Sequence, residues 1–102
     1  MVLNNKILTL LGFAAKAGKL SYGFEACVSS IKSGQSHLAL VASDISAKSC
    51  KEVRFYADKC VVKHILLEGI DIKQMSDAVG KKCGIVSVND KGFADALAKV
   101  LV

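Results

Sequence analysis

Residues 37–43 read HLALVAS, an apolar run of strand length with no charge inside it. A strand with one wet face alternates apolar and polar residues. An unbroken run is what a strand covered on both faces looks like. Such a strand requires a layer of structure on each side, and the flanking sequence supplies helical patterns to build them. Residues 5–17 place Ile7, Leu10, Leu11 and Ala14 at i, i+3, i+4 and i+7, one apolar helix face, and Gly18 stands where a helix-ending glycine belongs. Residues 19–22 are short enough for only a brief strand. Ser21 or Tyr22 then leads into a second helix with Cys27, Val28 and Ile31 inward and Gly34 at its end.

After the central run, Asp44-Ile45-Ser46 reads as a turn and cap. Ser46 starts a third helix, with Ser49 and Glu52 as an alternative capping box. Cys50, Val53, Ala57 and Cys60 make one helical stripe. Residues 61–67 form another strand. Asp71 opens a short helix with Ile72, Met75 and Val79 inward and Gly80 at its end, and residues 84–88 form a last strand. Asn89-Asp90 caps a final helix striped by Phe93, Ala96, Leu97, Val100 and Leu101. Strict α-β alternation makes a three-layer α/β/α sandwich, and by itself it predicts a mostly parallel sheet.

Composition agrees. The chain has 102 residues, the size of one domain spanning 1–102, and is 52% hydrophobic but only 6% aromatic, which implies an aliphatic core. No run approaches the ~20 apolar residues of a membrane span. Gly12 and Lys16 interrupt the N-terminal apolar run, so no signal peptide is expected, and the expected location is cytoplasmic, away from membranes. The four cysteines, Cys27, Cys50, Cys60 and Cys83, contain no CxxC pair. Neither a metal site nor a disulfide framework is expected, and the cysteines are read as small buried hydrophobes.

The net charge of +5 is uneven: residues 1–63 carry nine Lys/Arg against four Asp/Glu, and residues 64–102 carry five against five. That excess suits a polyanion-facing surface or an ordinary solvated one. Catalytic patterns are missing. His37 and His64 both fall at strand positions, and no GxSxG elbow or GxGxxG loop occurs. GFAAKAGK, residues 12–19, is one residue too long between its glycines for a phosphate-binding loop, and it sits inside a helical pattern. No catalytic residue, cofactor or metal is therefore expected. What remains are lysines at element ends: Lys16 and Lys19 beside Gly18, Lys48 at the start of the third helix, and the loop Lys81-Lys82-Cys83-Gly84. Helix N-termini joined to lysines suit phosphate, although wet loops carry lysines in any case.

The whole string also resembles a known family. AGKLSYG at 17–23, SIKSG at 30–34, the apolar strand ending in Asp44, the Ser-led helix with a Cys at its end, the short helix ending in Val79-Gly80 and NDKGFADAL at 89–97 are similar, in order and spacing, to the kink-turn RNA-binding ribosomal protein superfamily. That superfamily includes the L-seven-Ae and L-thirty-e types, and the nearest likeness is to its short bacterial YlxQ-like branch. The resemblance implies an α/β/α sandwich around a small mixed four-stranded sheet and binding to a kinked RNA helix with tandem sheared G·A pairs; a monomer is expected separately, because no long apolar edge demands a dimer. The resemblance also implies ribosomal or other kink-turn-containing RNA as partner, and the ribosome as a place of action.

The family motif G-x-N-E-x-x-K opens the second helix. Its glycine falls on Gly23, but its Asn falls on Glu25, its Glu on Ala26 and its Lys on Ser29. The family's second contact loop falls on Lys81, Lys82, Cys83 and Gly84. The RNA surface expected on this basis comprises Gly23, Phe24, Glu25, Ser29, Lys32 and residues 81–84, with Lys19 and Lys48 at its margin. Glu25 either accepts hydrogen bonds from base amino groups or stabilises the positive helix end. Phe24 either stacks on a base or packs against the first helix. The rival reading is a protein-interaction or ribosome-docking module whose RNA site has decayed, since three motif positions are altered.

Overall fold

The computed structural model describes residues 2–101. Its elements run α1 (Val2–Lys16), β1 (Leu20–Tyr22), α2 (Phe24–Lys32), β2 (Leu38–Ala42), α3 (Ala47–Lys59), β3 (Lys63–Leu67), α4 (Ile72–Val79), β4 (Ile85–Val88) and α5 (Lys91–Leu101). Each has a local cause. Ser46 caps α3, its hydroxyl accepting the Ser49 N–H at 3.2 Å. Asp71 and Gln74 form a reciprocal capping box on α4. Asp90 accepts the Phe93 N–H at 2.9 Å and opens α5.

β2 is buried along its entire length. Leu38, Leu40 and Ala42 face a cluster with Ile7, Leu11 and Ala14 of α1, Met75 and Val79 of α4, and Leu97 of α5. Ala39 and Val41 face the other way, onto Cys27 and Ile31 of α2 and Val53 and Ala57 of α3. The two-residue period of a strand thus divides one apolar run between two cores. Three helices cover one face of the sheet and two cover the other.

The sheet order is β1-β4-β2-β3, and only β2 and β3 pair in parallel; β4 runs antiparallel to both β1 and β2. The mostly parallel sheet expected from alternation is therefore overturned, and the mixed sheet implied by the resemblance is what forms. The cause is α4. It begins beside the end of β2, where the Ile72 N–H donates to Asp44 Oδ1 at 2.8 Å. The loop after it returns to that same end, where the Ala42 N–H donates to the Gly84 carbonyl at 2.8 Å. This short helix never carries the chain back along the sheet, so β4 starts where β2 stops and must run in reverse.

The cysteines are not uniformly buried as expected. Cys27 and Cys83 are buried, Cys50 is half-buried and Cys60 is exposed. Cys60 is the residue that ends α3, so the apolar stripe leaves the core there. Burial pushes the Cys27 thiol up to about 12 from 9.0. The unfolded thiol therefore ionises first as pH rises. Its contribution to stability is level below pH 9 and is lost between pH 9 and about 12, at ~1.4 kcal/mol per pH unit. Urea melts at pH 8 and 10.5 should show this loss, and Cys27→Ala should flatten it. Cys83 and Tyr22, also raised by burial, leave a smaller residual slope.

The third strand, expected from residue 61, begins at Lys63 because Val61 turns the chain at φ 58 and lies 92% exposed. A β-branched residue is disfavoured in the left-handed region, at roughly 1–2 kcal/mol. Val61→Gly is expected to stabilise the protein by about 1 kcal/mol, after the extra freedom glycine gives the unfolded chain is deducted. A thermal melt reads this as a rise of several degrees, and a fall would refute the strain.

Candidate nucleic-acid interface

The end of the sheet at which β2 and β3 finish gathers four connections: β1–α2, β2–α3, β3–α4 and α4–β4. Gly23 joins β1 to α2 with φ 87 and ψ 170, a region open essentially to glycine alone. Its N–H donates to the Ile85 carbonyl at 2.8 Å, which fastens the start of α2 to the start of β4. No side chain caps α2. The first amides of the helix thus point outward at an uncapped positive end, with Glu25 exposed in the first turn.

The α4–β4 loop meets this helix start from the other side. Lys81 holds its ammonium 4.8 Å from the centroid of the Tyr22 ring, a cation–π contact next to Gly23. Lys82 is exposed beside it. Cys83 turns inward, with its N–H and carbonyl both bonded to the Ser76 hydroxyl at 3.0 and 3.1 Å. Its nearness adds to the burial that raises the Tyr22 phenol. Gly84 is a close-approach position: a Cβ there would lie 2.8 Å from Ile45 Cδ1 and 2.9 Å from Ile72 Cγ1.

The expected surface is thus partly assembled and partly dispersed. Gly23, Phe24, Glu25, Lys81 and Lys82 come together, with Lys48 at the same end in the first turn of α3. Cys83 and Gly84 support the loop from inside and offer no exposed side chain for contact. Lys19 lies at the opposite end of the sheet, where its carbonyl accepts the Asn89 N–H at 2.8 Å. Phe24 is half-buried against the cluster of α2 and α3, not against α1, which covers the other face. Ser29 and Lys32 lie farther along α2. They line a groove of about 630 Å³ with Phe24, Glu25, Glu52 and Tyr56. Lys32 sits over the Tyr56 ring, 4.6 Å from its centroid.

Sequence reasoning missed Tyr22, Tyr56 and Glu52. Tyr22 carried a weak signal, an aromatic immediately before the motif glycine. Tyr56 carried none, because which face of α3 it occupies depends on how α3 rotates against α2. Toward the opposite end of the sheet, Ser87, Asn89, Ser21 and Ser30 form a chain of side-chain hydrogen bonds of 2.7–2.8 Å that ties β4, β1 and α2 together. Among the described residues no helix is long and apolar enough to cross a membrane.

Comparison with known proteins places this geometry. A large ribosomal subunit protein eL30 from Candida glabrata is 30% identical over 89 residues, covering 85% of this chain and 84% of that protein. An RNA-binding protein YlxQ from Enterococcus faecium is 31% identical over 93 residues, covering 87% of this chain and 84% of its own length. A solved structure of a protein of unknown function from Bacillus halodurans superimposes with a TM-score of 0.88 at 28% identity, covering 94% of this chain and 96% of that one. The model of the ribosomal protein L7Ae/L30e/S12e/Gadd45 family matches residues 5–98, nearly the whole described fold, and the chain belongs to that family.

Proposed function

We propose that the protein is a non-enzymatic RNA-binding protein. It takes kink-turn or similarly bent RNA on the surface formed by the start of α2 and the α4–β4 loop. The observation that carries this reading is the fastening of those two segments, distant in sequence, by the Gly23–Ile85 hydrogen bond and the Lys81–Tyr22 contact. They present an uncapped helix end, an exposed carboxylate and two lysines within one surface. The lysines and free amides suit phosphate oxygens. Glu25 suits the amino groups of guanine or cytosine exposed at a sheared pair. Its relatives include an RNA-binding protein and a ribosomal protein, which favours structured RNA, ribosomal or otherwise, in the cytoplasm.

All three readers of the family motif are altered, and of them only Glu25 keeps a strong acceptor. Ala26 offers no acceptor, and Ser29 can hydrogen-bond but cannot neutralise a phosphate. Lys32, one turn beyond Ser29, is held over Tyr56 and does not occupy the missing position. Recognition therefore leans on Glu25 and the loop lysines. The test is titration of a kink-turn hairpin and of a matched duplex with its G·A pairs replaced, at several salt concentrations. Clear preference for the kink-turn is expected. Equal, steeply salt-dependent binding to both would reduce the function to general RNA affinity, and binding to neither would favour the protein-docking rival.

A further inference from the structure

The outside of α3 carries two of the five excess positive charges of residues 1–63, and beyond Lys48 the proposed kink-turn surface does not use it. α3 carries Lys48, Lys51, Arg54 and Lys59 against Glu52 and Asp58. Asp58 is engaged by His64 at 2.9 Å. Among the described residues, none of the four cations stands within ion-pair distance of a carboxylate, whereas Lys73 on the opposite layer pairs with Asp77. Lys48, Lys51, Phe55 and Lys59 follow one another at three- and four-residue steps, so they form a single stripe. At 1.5 Å per residue this stripe is about 16 Å long.

Phe55, in the middle of the stripe, is 60% exposed. Its ring meets Tyr56 edge-on, with centroids 5.3 Å apart at 80°, a contact that favours this orientation. Lys59 stands 6.0 Å from the Phe55 centroid and Lys32 stands 4.6 Å from that of Tyr56. An oriented, exposed aromatic ring between unpaired cations is the arrangement that takes a base on the ring and phosphates on either side. The groove of Phe24, Glu25, Ser29, Lys32 and Tyr56 runs from the start of α2 to Glu52 and Tyr56 of α3, and Phe55 lines a separate depression with Lys51 and Arg54.

We infer that the outer face of α3 is a second nucleic-acid contact, which takes a short unpaired RNA segment adjoining the structured RNA held at the start of α2. Phe55 stacks on one base, while Lys48, Lys51 and Lys59 hold the phosphates beside it. This inference rests on the RNA-binding reading of the preceding subsection.

The test compares a blunt kink-turn hairpin with the same hairpin bearing a tail of about six unpaired nucleotides, a length within the range of single-strand sites. Wild-type protein, Phe55→Ala, Phe55→Trp and the double variant Lys51→Gln/Lys59→Gln are titrated at several salt concentrations. The tail is expected to tighten wild-type binding about ten-fold. Phe55→Ala should remove most of that gain and Phe55→Trp should keep it. The lysine variant should lower the salt slope for the tailed RNA by about 0.7 per lysine. Binding of the blunt hairpin should change little in any variant, and unchanged melting would confirm folding. If the blunt hairpin binds but the tail adds nothing, the inference fails and the kink-turn reading stands. If neither RNA binds, both fail. If the tail adds nothing and a poly-glutamate peptide binds the face instead, losing affinity in the lysine variant, the stripe is a protein-docking surface and the inference is overturned.

Discussion

Leu40→Ala is expected to destabilise the protein by about 2–5 kcal/mol, a large part of the total stability of a domain this size. Leu40 is fully buried at the middle of β2, one of the two strands with neighbours on both sides. It stands between Val86 of β4 and Ile65 of β3, and its face of the sheet is closed by α1, α4 and α5. The strands hold the backbone in place from both sides, so the hole left by truncation cannot collapse easily, and the cost should lie toward the upper part of that range. Chemical denaturation measures it as a lower midpoint at similar slope. Leu40 faces the layer of α1, α4 and α5, and the α4–β4 loop keeps its own ties to β2 and to Gly23, so the RNA preference of the protein that remains folded should change little. A loss of less than 1 kcal/mol would mean that this core is not closed as described.

Gly23→Ala is expected to act on both stability and binding. At φ 87 and ψ 170 the strain on a residue with a side chain is about 1–3 kcal/mol. Beyond the adjoining residues, no heavy atom lies within 4 Å of the position a Cβ would take, so the penalty comes from the backbone and not from a clash. Restricting the unfolded chain offsets it by about 0.4–1 kcal/mol. If the backbone relaxes to relieve the strain, the 2.8 Å bond from the Gly23 N–H to Ile85 is the contact that gives way. That bond sets the start of α2 against the loop of Lys81 and Lys82. A fall in melting temperature of several degrees should therefore accompany a loss of kink-turn affinity of about ten-fold, or ~1.4 kcal/mol. Lower stability with intact kink-turn binding would show that α2 and the loop do not read the RNA together. Leu40→Ala is the matched control, since it weakens the fold from the other face.

Much of this protein was legible in its sequence because the relevant forces act over a few residues. The run HLALVAS announced a strand covered on both faces. The apolar spacing in residues 5–17 and 50–57 announced helices, and Ser46, Asp71 and Asp90 announced where helices begin. Capping and periodicity are local, so element order and type follow from them. Cys60 falls outside the core, unforeseen because a stripe does not reveal where its helix leaves it, and neither alternative for Phe24 named the α2 and α3 cluster because a half-buried aromatic does not say which layer it faces.

The candidate site was less legible. Lysines at an element end marked the loop, and the resemblance marked it again together with Gly23 and Glu25, but whether the two segments meet depends on the direction of β4. That direction is decided by where α4 docks, through Asp44 and the crowded approach of Ile45 and Ile72 to Gly84, which are contacts between residues far apart in sequence. The same long-range packing sent Lys19 to the far end, turned Cys83 inward, set Lys81 on Tyr22 and brought Tyr56 beneath Lys32. By itself, then, the sequence determined the order and type of the nine elements among the described residues, the caps of α3, α4 and α5 and most of the apolar faces, because these depend on short-range spacing. Only the tertiary structure decided which loops share an end of the sheet and which charges stand unpaired on one face, because these depend on strand direction and helix rotation, which no local pattern encodes.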